Sequence, residues 1–253
     1  MTSPDAGKPG PGLAGRTVLV TGAGSGLGAA IARALHADGA NVVLADLAVM
    51  KASQVAARMD PDSSRCCVVH CDVREPESAR SAVDAAIARF GTLDGLVNNA
   101  GFDVTKCVED LSLQEWDAVL DTNLRGPFLL TKMALPALRA GDGGRGGHIV
   151  NITSTAARRA WPNAAAYHAS KWGLTGFSHA LHAELRDGGV RVTSVVAGGM
   201  RTPFLLDRFP DIDPSRLQDP ERVADGVCFA LRMPRDSVVA ELMILPLKES
   251  SWP

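Results

Sequence analysis

Short apolar segments alternate with helical segments along almost the whole of this sequence, and few folds accommodate such an order. The strand-like segments lie at 16–21, 41–46, 65–71, 93–98, 148–153, 190–196 and 238–246. The segments with helical periodicity lie at 26–38, 48–59, 75–90, 113–140, 161–187 and 220–233. Because the strands are apolar throughout, we expect helices to cover both faces of a parallel sheet. The sequence therefore predicts an α/β fold, a Rossmann-type doubly wound sheet of about seven parallel strands in a three-layer α/β/α sandwich.

Length and composition are those of an ordinary globular protein. The chain has 253 residues, 46% of them apolar and 21% charged, with a formal net charge of −2. This charge balance and the small aromatic content (5%) argue against a nucleic-acid-binding protein. No apolar stretch is long enough to span a membrane. We divide the chain into a flexible N-terminal tail at 1–13 and a single domain at 14–253.

The cysteines indicate a reducing environment. They are Cys66, Cys67, Cys71, Cys107 and Cys228. An odd number in a chain of this length does not form a disulfide framework, so we predict a cytoplasmic protein. Three of these cysteines and His70 are close in sequence, but alternate side chains of a strand point to opposite faces. The four side chains therefore cannot converge on one ion, and we predict no metal site.

A glycine-rich turn separates the first predicted strand from the first helix, and it reads TGAGSGLG from Thr21 to Gly28. Glycines let backbone N–H groups approach a pyrophosphate, and the helix N-terminus adds a partial positive charge. Because the turn lies between the first strand and its helix, it predicts a dinucleotide site, although any tight turn also uses glycines. The residues assigned to this site are Gly22, Ser25, Gly26, Leu27 and Gly28.

Asp46 ends the second predicted strand, 18 residues after Gly28. A carboxylate there can accept hydrogen bonds from both hydroxyls of an adenosine ribose, and its charge repels a 2′-phosphate. We therefore predict NAD(H) rather than NADP(H) as the cofactor of a single NAD-binding Rossmann domain. A simply solvated aspartate at the end of a strand is the alternative interpretation.

Tyr167 is the only tyrosine in the chain, and Lys171 lies four residues later on a predicted helix, so the two share one face. A nearby ammonium favours the phenolate, so we expect Lys171 to lower the pKa of Tyr167 and allow proton exchange near neutral pH. Ser154 follows the fifth predicted strand, where its hydroxyl can polarise a carbonyl oxygen. A lysine beside a core tyrosine and a turn or capping serine are the structural alternatives.

With these motifs the sequence resembles the short-chain dehydrogenase/reductase family from about Leu13 to Leu247. The family's motifs stand here at Thr21–Gly28, at Asn98–Gly101 (NNAG), at Asp72 and Val73 after the third strand, at Asn123, and at Ser154, Tyr167 and Lys171. The resemblance implies an oxidoreductase that transfers a hydride between NAD(H) and a secondary alcohol or ketone.

The resemblance also implies roles for single residues. Tyr167 would be the general acid/base, Ser154 would hold the substrate oxygen, and Lys171 would lower the tyrosine pKa and bind the nicotinamide ribose. Asn123 would hold a water that links Lys171 to solvent. The further residues that would contact the cofactor are Asp72, Val73, Asn99, Gly101 and Thr202. The expected partners are a small-molecule substrate and copies of the same chain, in a homotetramer or homodimer formed through the helices at 113–140 and 161–187.

Two segments depart from the family's pattern. Ala197 replaces the usual proline of P-G-x-x-x-T, which here runs from Ala197 to Thr202, and the chain ends in ELMILPLKESSWP where many relatives have D-G-G. Two other functions also stay open: an NADPH-dependent carbonyl reductase and a non-catalytic dinucleotide-sensing protein.

Substrate specificity is expected in the segments at 101–105 and 155–163 and in a substrate loop at about 200–219. Its apolar residues, which would form a lid, are Met200, Phe204, Leu205, Leu206 and Phe209. Candidate partners for an anionic group are Arg158, Arg159 and Arg201, although solvated surface arginines explain the first two more simply.

Overall fold

The computed structural model of the chain describes residues 12–249. Most of the predicted tail at 1–13 and the C-terminal residues 250–253 lie outside the described residues. Leu13, the last residue of that predicted tail, is buried with 1% exposure. The packed domain therefore begins slightly earlier than predicted.

Seven strands form one parallel sheet in the order β3-β2-β1-β4-β5-β6-β7. The strands are β1 (Thr17–Thr21), β2 (Asn41–Asp46), β3 (Cys66–His70), β4 (Gly95–Asn98), β5 (His148–Ser154), β6 (Arg191–Ala197) and β7 (Glu241–Ile244). The helices are α1 (Gly26–Ala37), α2 (Val49–Met59), α3 (Pro76–Phe90), α4 (Leu113–Leu120), α5 (Gly126–Gly144), α6 (Ala165–Leu185), α7 (Pro203–Leu206) and α8 (Pro220–Arg232). This order confirms the predicted doubly wound sheet.

Helices cover both faces of the sheet because each strand offers apolar side chains to both. In β1, Val18 and Val20 belong to the core beneath α1, α2 and α8, whereas Leu19 belongs to the core beneath α3, α5 and α6. The predicted three layers are therefore present. The strand order reverses between β1 and β4, and in such sheets ligands bind beyond the carboxyl ends of the strands at that point.

The helix predicted as one segment at 113–140 is divided. A single turn of π-helix, Asp121–Arg125, separates α4 from α5. In this turn the side-chain amide of Asn123 donates to the carbonyl of Phe102 at 2.8 Å, and its oxygen accepts the N–H of Phe102 at 3.0 Å. Such turns often mark functional positions inside helices. The pattern of apolar residues could not predict this π-helical turn, because the turn is fixed by hydrogen bonds to the loop after β4.

Other boundaries differ by a few residues. The helix predicted at 161–187 covers Ala165–Leu185 as α6, and the strand predicted at 238–246 covers Glu241–Ile244. All five cysteines are free thiols, as predicted. None of the helices within residues 12–249 combines the length and apolar character that crossing a membrane requires.

Candidate active site

A cavity of about 770 Å³ opens at the carboxyl edge of the sheet and spans the point where the strand order reverses. The predicted site residues that line it are Gly22, Ser25, Gly26, Leu27, Gly28, Asp46, Asn99, Gly101, Ser154, Tyr167, Lys171 and Thr202. Asp72, Val73 and Asn123 lie outside this lining. Motifs that are far apart in the sequence thus meet in one crevice.

The turn between β1 and α1 is too tight for a side chain at Gly28. A Cβ atom there would lie 2.1 Å from the carbonyl oxygen of Gly22 and 2.6 Å from Nδ2 of Asn99. Ser25, the N-cap of α1, makes no side-chain hydrogen bond to the helix, so the first N–H groups of α1 stay available to an anion. These features fit the pyrophosphate of a dinucleotide.

The glycine turn is tied to the end of β4. The Thr21 hydroxyl oxygen accepts the N–H groups of Asn99 and Ala100, both at 3.0 Å, and Nδ2 of Asn99 donates to the carbonyl of Thr21 at 2.9 Å. The side chain of Asn99, predicted to contact the cofactor, thus supports the turn.

Asp46 is held firmly at the edge of the cavity. Its Oδ2 accepts the N–H of Gly24 at 2.7 Å, and its Oδ1 accepts the N–H of Ala48 at 2.7 Å. These two bonds fix a carboxylate against the glycine turn, so Asp46 is more than a solvated strand-end residue. A negative charge in this position favours hydroxyl donors over a phosphate.

Asp72 and Val73 are engaged elsewhere. The Asp72 carboxylate receives two hydrogen bonds from the Arg74 guanidinium, from Nε at 2.9 Å and from Nη2 at 2.6 Å. These bonds lower the pKa of Asp72. Val73 is 7% exposed and lies so close to α5 that a Cβ at Gly126 would be 2.9 Å from it. A cofactor contact at either residue stays a prediction.

Ser154, Tyr167 and Lys171 converge where β5 ends and α6 begins. The hydroxyl of Ser154 is hydrogen-bonded to the phenol of Tyr167 and also accepts the N–H of Ala156 at 3.2 Å. Nζ of Lys171 lies 5.6 Å from the centre of the Tyr167 ring and donates to the carbonyl of Ile152 at 2.9 Å. Lys171 is only 5% exposed. This arrangement places a hydroxyl, a phenol and an ammonium in one crevice.

The predicted lowering of the Tyr167 pKa is wrong for this structure. Burial raises the pKa of this phenol to about 12, an effect larger than the opposing ones of the Ser154 hydrogen bond and the Arg208 charge. Burial also lowers the pKa of the Lys171 ammonium to about 8. Both shifts have one cause, since loss of water disfavours the charged form of each group. Tyr167 therefore keeps its proton at neutral pH and is ready to donate it.

Asp103 and Trp161 line the cavity, and they lie in the segments 101–105 and 155–163 that were predicted to determine substrate specificity. Glu249 also lines it, and no prediction included this residue. Oε2 of Glu249 accepts the N–H of Gly199 at 3.1 Å, so the unusual C-terminal segment reaches the loop after β6. The sequence shows that this C-terminal segment is atypical. It does not show that the segment packs against the loop after β6, because that contact joins residues far apart in the chain. Arg208 also lines the cavity. Its position between Phe204 and Phe209 in the predicted substrate loop is the sequence feature that could have identified it.

The predicted substrate loop forms one wall of the cavity. Its lining side chains include Met200, Phe204, Leu205 and Phe209, whereas Leu206 is not among them. Arg201, a candidate partner for an anion, instead donates to Asp219 at 2.9 Å. Arg158 is likewise paired, with Glu241. The loop therefore contributes mainly apolar surface.

Comparison with known proteins agrees with this geometry. Residues 16–213 match the family described as short chain dehydrogenase. The trans-4-hydroxycyclohexanecarboxylate dehydrogenase of Sinomonas cyclohexanicum is 38% identical to this chain over 226 residues, which cover 86% of each protein.

Two solved structures are also similar. An alcohol dehydrogenase from Thermococcus sibiricus, complexed with 5-hydroxy-NADP, has a TM-score of 0.84 and 28% identity and covers 92% of this chain and 97% of its own. The 3-ketoacyl-(acyl-carrier-protein) reductase of Brucella melitensis, complexed with NADH, has a TM-score of 0.85 and 32% identity, with coverages of 93% and 99%. From the strand order, the cavity and the matched residues together, this chain belongs to the short chain dehydrogenase family of oxidoreductases.

Proposed function

We propose that this protein is an NAD(H)-dependent dehydrogenase that interconverts a secondary alcohol and a ketone. The observation that carries the proposal is the convergence of Ser154, Tyr167 and Lys171 in the cavity that also holds the glycine turn and Asp46. At such a site the nicotinamide supplies or accepts the hydride, and the protein supplies positioning and proton transfer.

Different residues of the chain would hold different parts of the cofactor. The glycine turn and the N-terminus of α1 would hold the pyrophosphate, and Asp46 would accept the ribose hydroxyls. Thr202, which is 4% exposed and close to Gly26, would hold the nicotinamide end.

Proton transfer falls to Tyr167. It would donate its proton to the ketone oxygen during reduction and take a proton from the alcohol during oxidation, while Ser154 holds that oxygen. The Lys171 ammonium would stabilise the phenolate as it forms. Because burial raises the pKa of Tyr167 to about 12, we expect oxidation to speed up with rising pH and reduction to proceed at neutral pH.

Apart from Asp103 and Arg208, the substrate end of the cavity is mainly apolar and aromatic, with Trp161, Met200, Phe204 and Phe209 in its lining. Such a surface suits a substrate with a largely apolar carbon skeleton. The name of the Sinomonas relative describes a hydroxyl group on a six-membered ring that also bears a carboxylate. Cyclic secondary alcohols and their ketones are therefore the first substrates to test.

The experiment follows NADH absorbance with a panel of cyclic and open-chain secondary alcohols plus NAD⁺, and of the matching ketones plus NADH. The same panel is run with NADP(H), at neutral and at alkaline pH. We expect turnover with NAD(H). Turnover with NADPH alone would instead favour a carbonyl reductase, and tight NADH binding without turnover of any compound would favour a dinucleotide-sensing protein.

The proposal also covers the oligomeric state of the protein and its location in the cell. We infer a homodimer or homotetramer formed through α5 and α6, supported by the exposure of Phe128 (45%) and Trp172 (52%) on these helices. A cytoplasmic location is inferred from the free cysteines.

The cofactor preference should depend on Asp46. We expect the wild-type protein to bind NADH about tenfold more tightly than NADPH, a difference of about 1.4 kcal/mol. Asp46→Ser removes the negative charge but keeps a small polar side chain, so NADH should bind more weakly and NADPH more tightly. Quenching of protein fluorescence by each nucleotide gives the four dissociation constants.

The control for Asp46→Ser is Asp84→Ser, which changes an exposed aspartate on α3 and should alter neither constant. If wild-type protein binds NADPH more tightly and Asp46→Ser leaves the ratio unchanged, the assignment of NAD(H) is wrong.

A further inference from the structure

An ion pair joins the two walls of the cavity at its substrate end. Asp103 lies in the loop after β4 and Arg208 in the substrate loop, and Oδ2 of Asp103 accepts a hydrogen bond from Nη2 of Arg208 at 2.5 Å. The same guanidinium donates to the Thr105 hydroxyl, from Nη2 at 2.7 Å and from Nε at 3.2 Å. The Asp103 side chain is 2% exposed and that of Arg208 is 22% exposed, so the pair is largely shielded from water.

Aromatic rings fix the guanidinium in place. Its carbon lies 4.8 Å from the centre of the Phe204 ring and 5.1 Å from that of Phe209. The ring of Phe204 in turn lies 5.7 Å from the ring of Tyr167. Arg208 therefore contacts, through one side chain, the opposite wall of the cavity and the aromatic residue beside the phenol.

The substrate loop is anchored at its base by a different set of contacts. The N–H of Arg201 donates to the carbonyl of Gln218 at 2.9 Å, and the N–H of Gln218 donates to the carbonyl of Gly199 at 3.1 Å. These bonds close the ends of the loop without reaching the loop after β4. The contact with the facing wall is made further along the loop, by Arg208.

We propose that the Asp103–Arg208 pair is a positioning element that latches the substrate loop over Tyr167 and balances the charge beside its phenol. This inference rests on the proposed function for its kinetic consequences. Removal of Arg208 leaves a shielded carboxylate without its cation, and such a group gains by moving into water. The loop should then open, and substrate should bind more weakly.

The charges of the pair act on Tyr167 in opposite directions. Asp103 raises the pKa of this phenol and Arg208 lowers it. The titratable and polar groups around Tyr167 are Lys171 and His168 on α6, Asp103 after β4, Arg208 in the substrate loop and the hydroxyl of Ser154 at the end of β5. Loss of Arg208 alone leaves Asp103 unbalanced, so ionisation of the phenol requires a higher pH.

The test compares Arg208→Met, Arg208→Lys and the double variant Asp103→Asn/Arg208→Met with the wild-type protein. For Arg208→Met we expect the KM of an alcohol from the panel to rise about tenfold while NADH affinity is unchanged, since neither residue of the pair is assigned to the cofactor site. The pH profile of alcohol oxidation should move to higher pH by about 0.5 unit or more. In the double variant this profile should return towards that of the wild type.

Arg208→Lys separates the two roles of the pair. Lysine keeps the positive charge but not the planar group that binds Asp103, Thr105 and the rings, so the pH profile should stay in place while the loop loosens. Amide hydrogen exchange of residues 203–213 measures the loosening without any turnover. We expect faster exchange there in Arg208→Lys and Arg208→Met, and no change in the strands.

The control is Arg222→Met, which removes an exposed cation at the start of α8, outside the cavity lining, and should change none of these quantities. Thr105→Val provides a milder opening if Arg208→Met does not fold. Unchanged KM, pH profile and loop exchange in Arg208→Met would overturn the proposal, as would equal changes in Arg222→Met. Faster loop exchange in a protein that turns over no panel compound would support the latch and reject the proposed function.

Discussion

Replacement of Tyr167 by phenylalanine should lower kcat/KM by about 10³-fold while NADH affinity changes less than about twofold. The substitution removes only the phenolic oxygen, and with it the proton that the substrate oxygen gains or loses. The ring remains to pack against Phe204, whose centre lies 5.7 Å away. Steady-state rates in both directions and an NADH titration of each protein provide the measurement.

His179→Gln is the matched control, because it removes a ring from the same helix at a position whose side chain is 62% exposed. It should retain the wild-type rate. Loss of NADH binding in Tyr167→Phe would show that the tyrosine supports the cofactor site rather than proton transfer. A rate within about tenfold of the wild type would reject general acid/base catalysis by Tyr167.

The solitary tyrosine makes the state of the phenol directly visible. Burial raises the pKa of Tyr167 to about 12, so the folded, cofactor-free protein should show almost no tyrosinate absorbance at about pH 10. The same protein unfolded in urea should be about half ionised at that pH, since the ordinary tyrosine pKa is about 10. The sequence predicts a lowered pKa for Tyr167 and the structure a raised one, and this is the largest disagreement between them.

That disagreement has a physical origin. The spacing of Tyr167 and Lys171 correctly brings an ammonium beside the phenol, 5.6 Å from the ring centre. What the spacing cannot show is how little water reaches either group once α6 packs against β5. Desolvation depends on the whole surrounding fold, and it outweighs the effects of the Ser154 hydrogen bond and the Arg208 charge, which lower the pKa of Tyr167.

Local signals were more reliable. The bounds of β2 agree with the predicted segment 41–46, because this apolar run is bounded by Gly39 after α1 and by the start of α2. The glycine turn, Asp46 and Ser154 follow strands and therefore meet at one sheet edge, as topology requires. These residues could be placed from sequence because each one is fixed by its neighbours in the chain.

Contacts across the chain could not be placed in this way. Asp103 and Arg208 lie 105 residues apart and meet only because the loop after β4 and the substrate loop face each other. The π-helical turn likewise includes Asn123, whose side chain is hydrogen-bonded to Phe102, 21 residues earlier in the chain. The spacing of apolar residues indicates which face of a helix or strand is buried. It does not indicate which loops contact each other.

Replacement of Lys171 by methionine should lower turnover by about 10²-fold and at the same time stabilise the cofactor-free protein. Turnover falls because the ammonium that favours the phenolate is gone. Stability rises because Lys171 is 5% exposed and burial lowers its pKa from 10.5 to about 8. That shift costs about 3 kcal/mol at neutral pH, of which the lost hydrogen bond to Ile152 offsets about 1, so we expect a gain of about 2 kcal/mol.

The pH dependence of this gain follows from the direction of the shift. Between about pH 8 and pH 10.5 the unfolded chain holds a proton on Lys171 that the folded chain has lost, so wild-type stability rises with pH in this range. Methionine has no such proton, and the advantage of Lys171→Met should be largest below pH 8 and nearly gone by about pH 10. Urea unfolding at neutral pH and at about pH 10 measures it, with Lys51→Met, at an exposed position on α2, as the control. A less stable Lys171→Met at neutral pH would mean that the buried ammonium contributes to folding, and that its retention needs no explanation from catalysis.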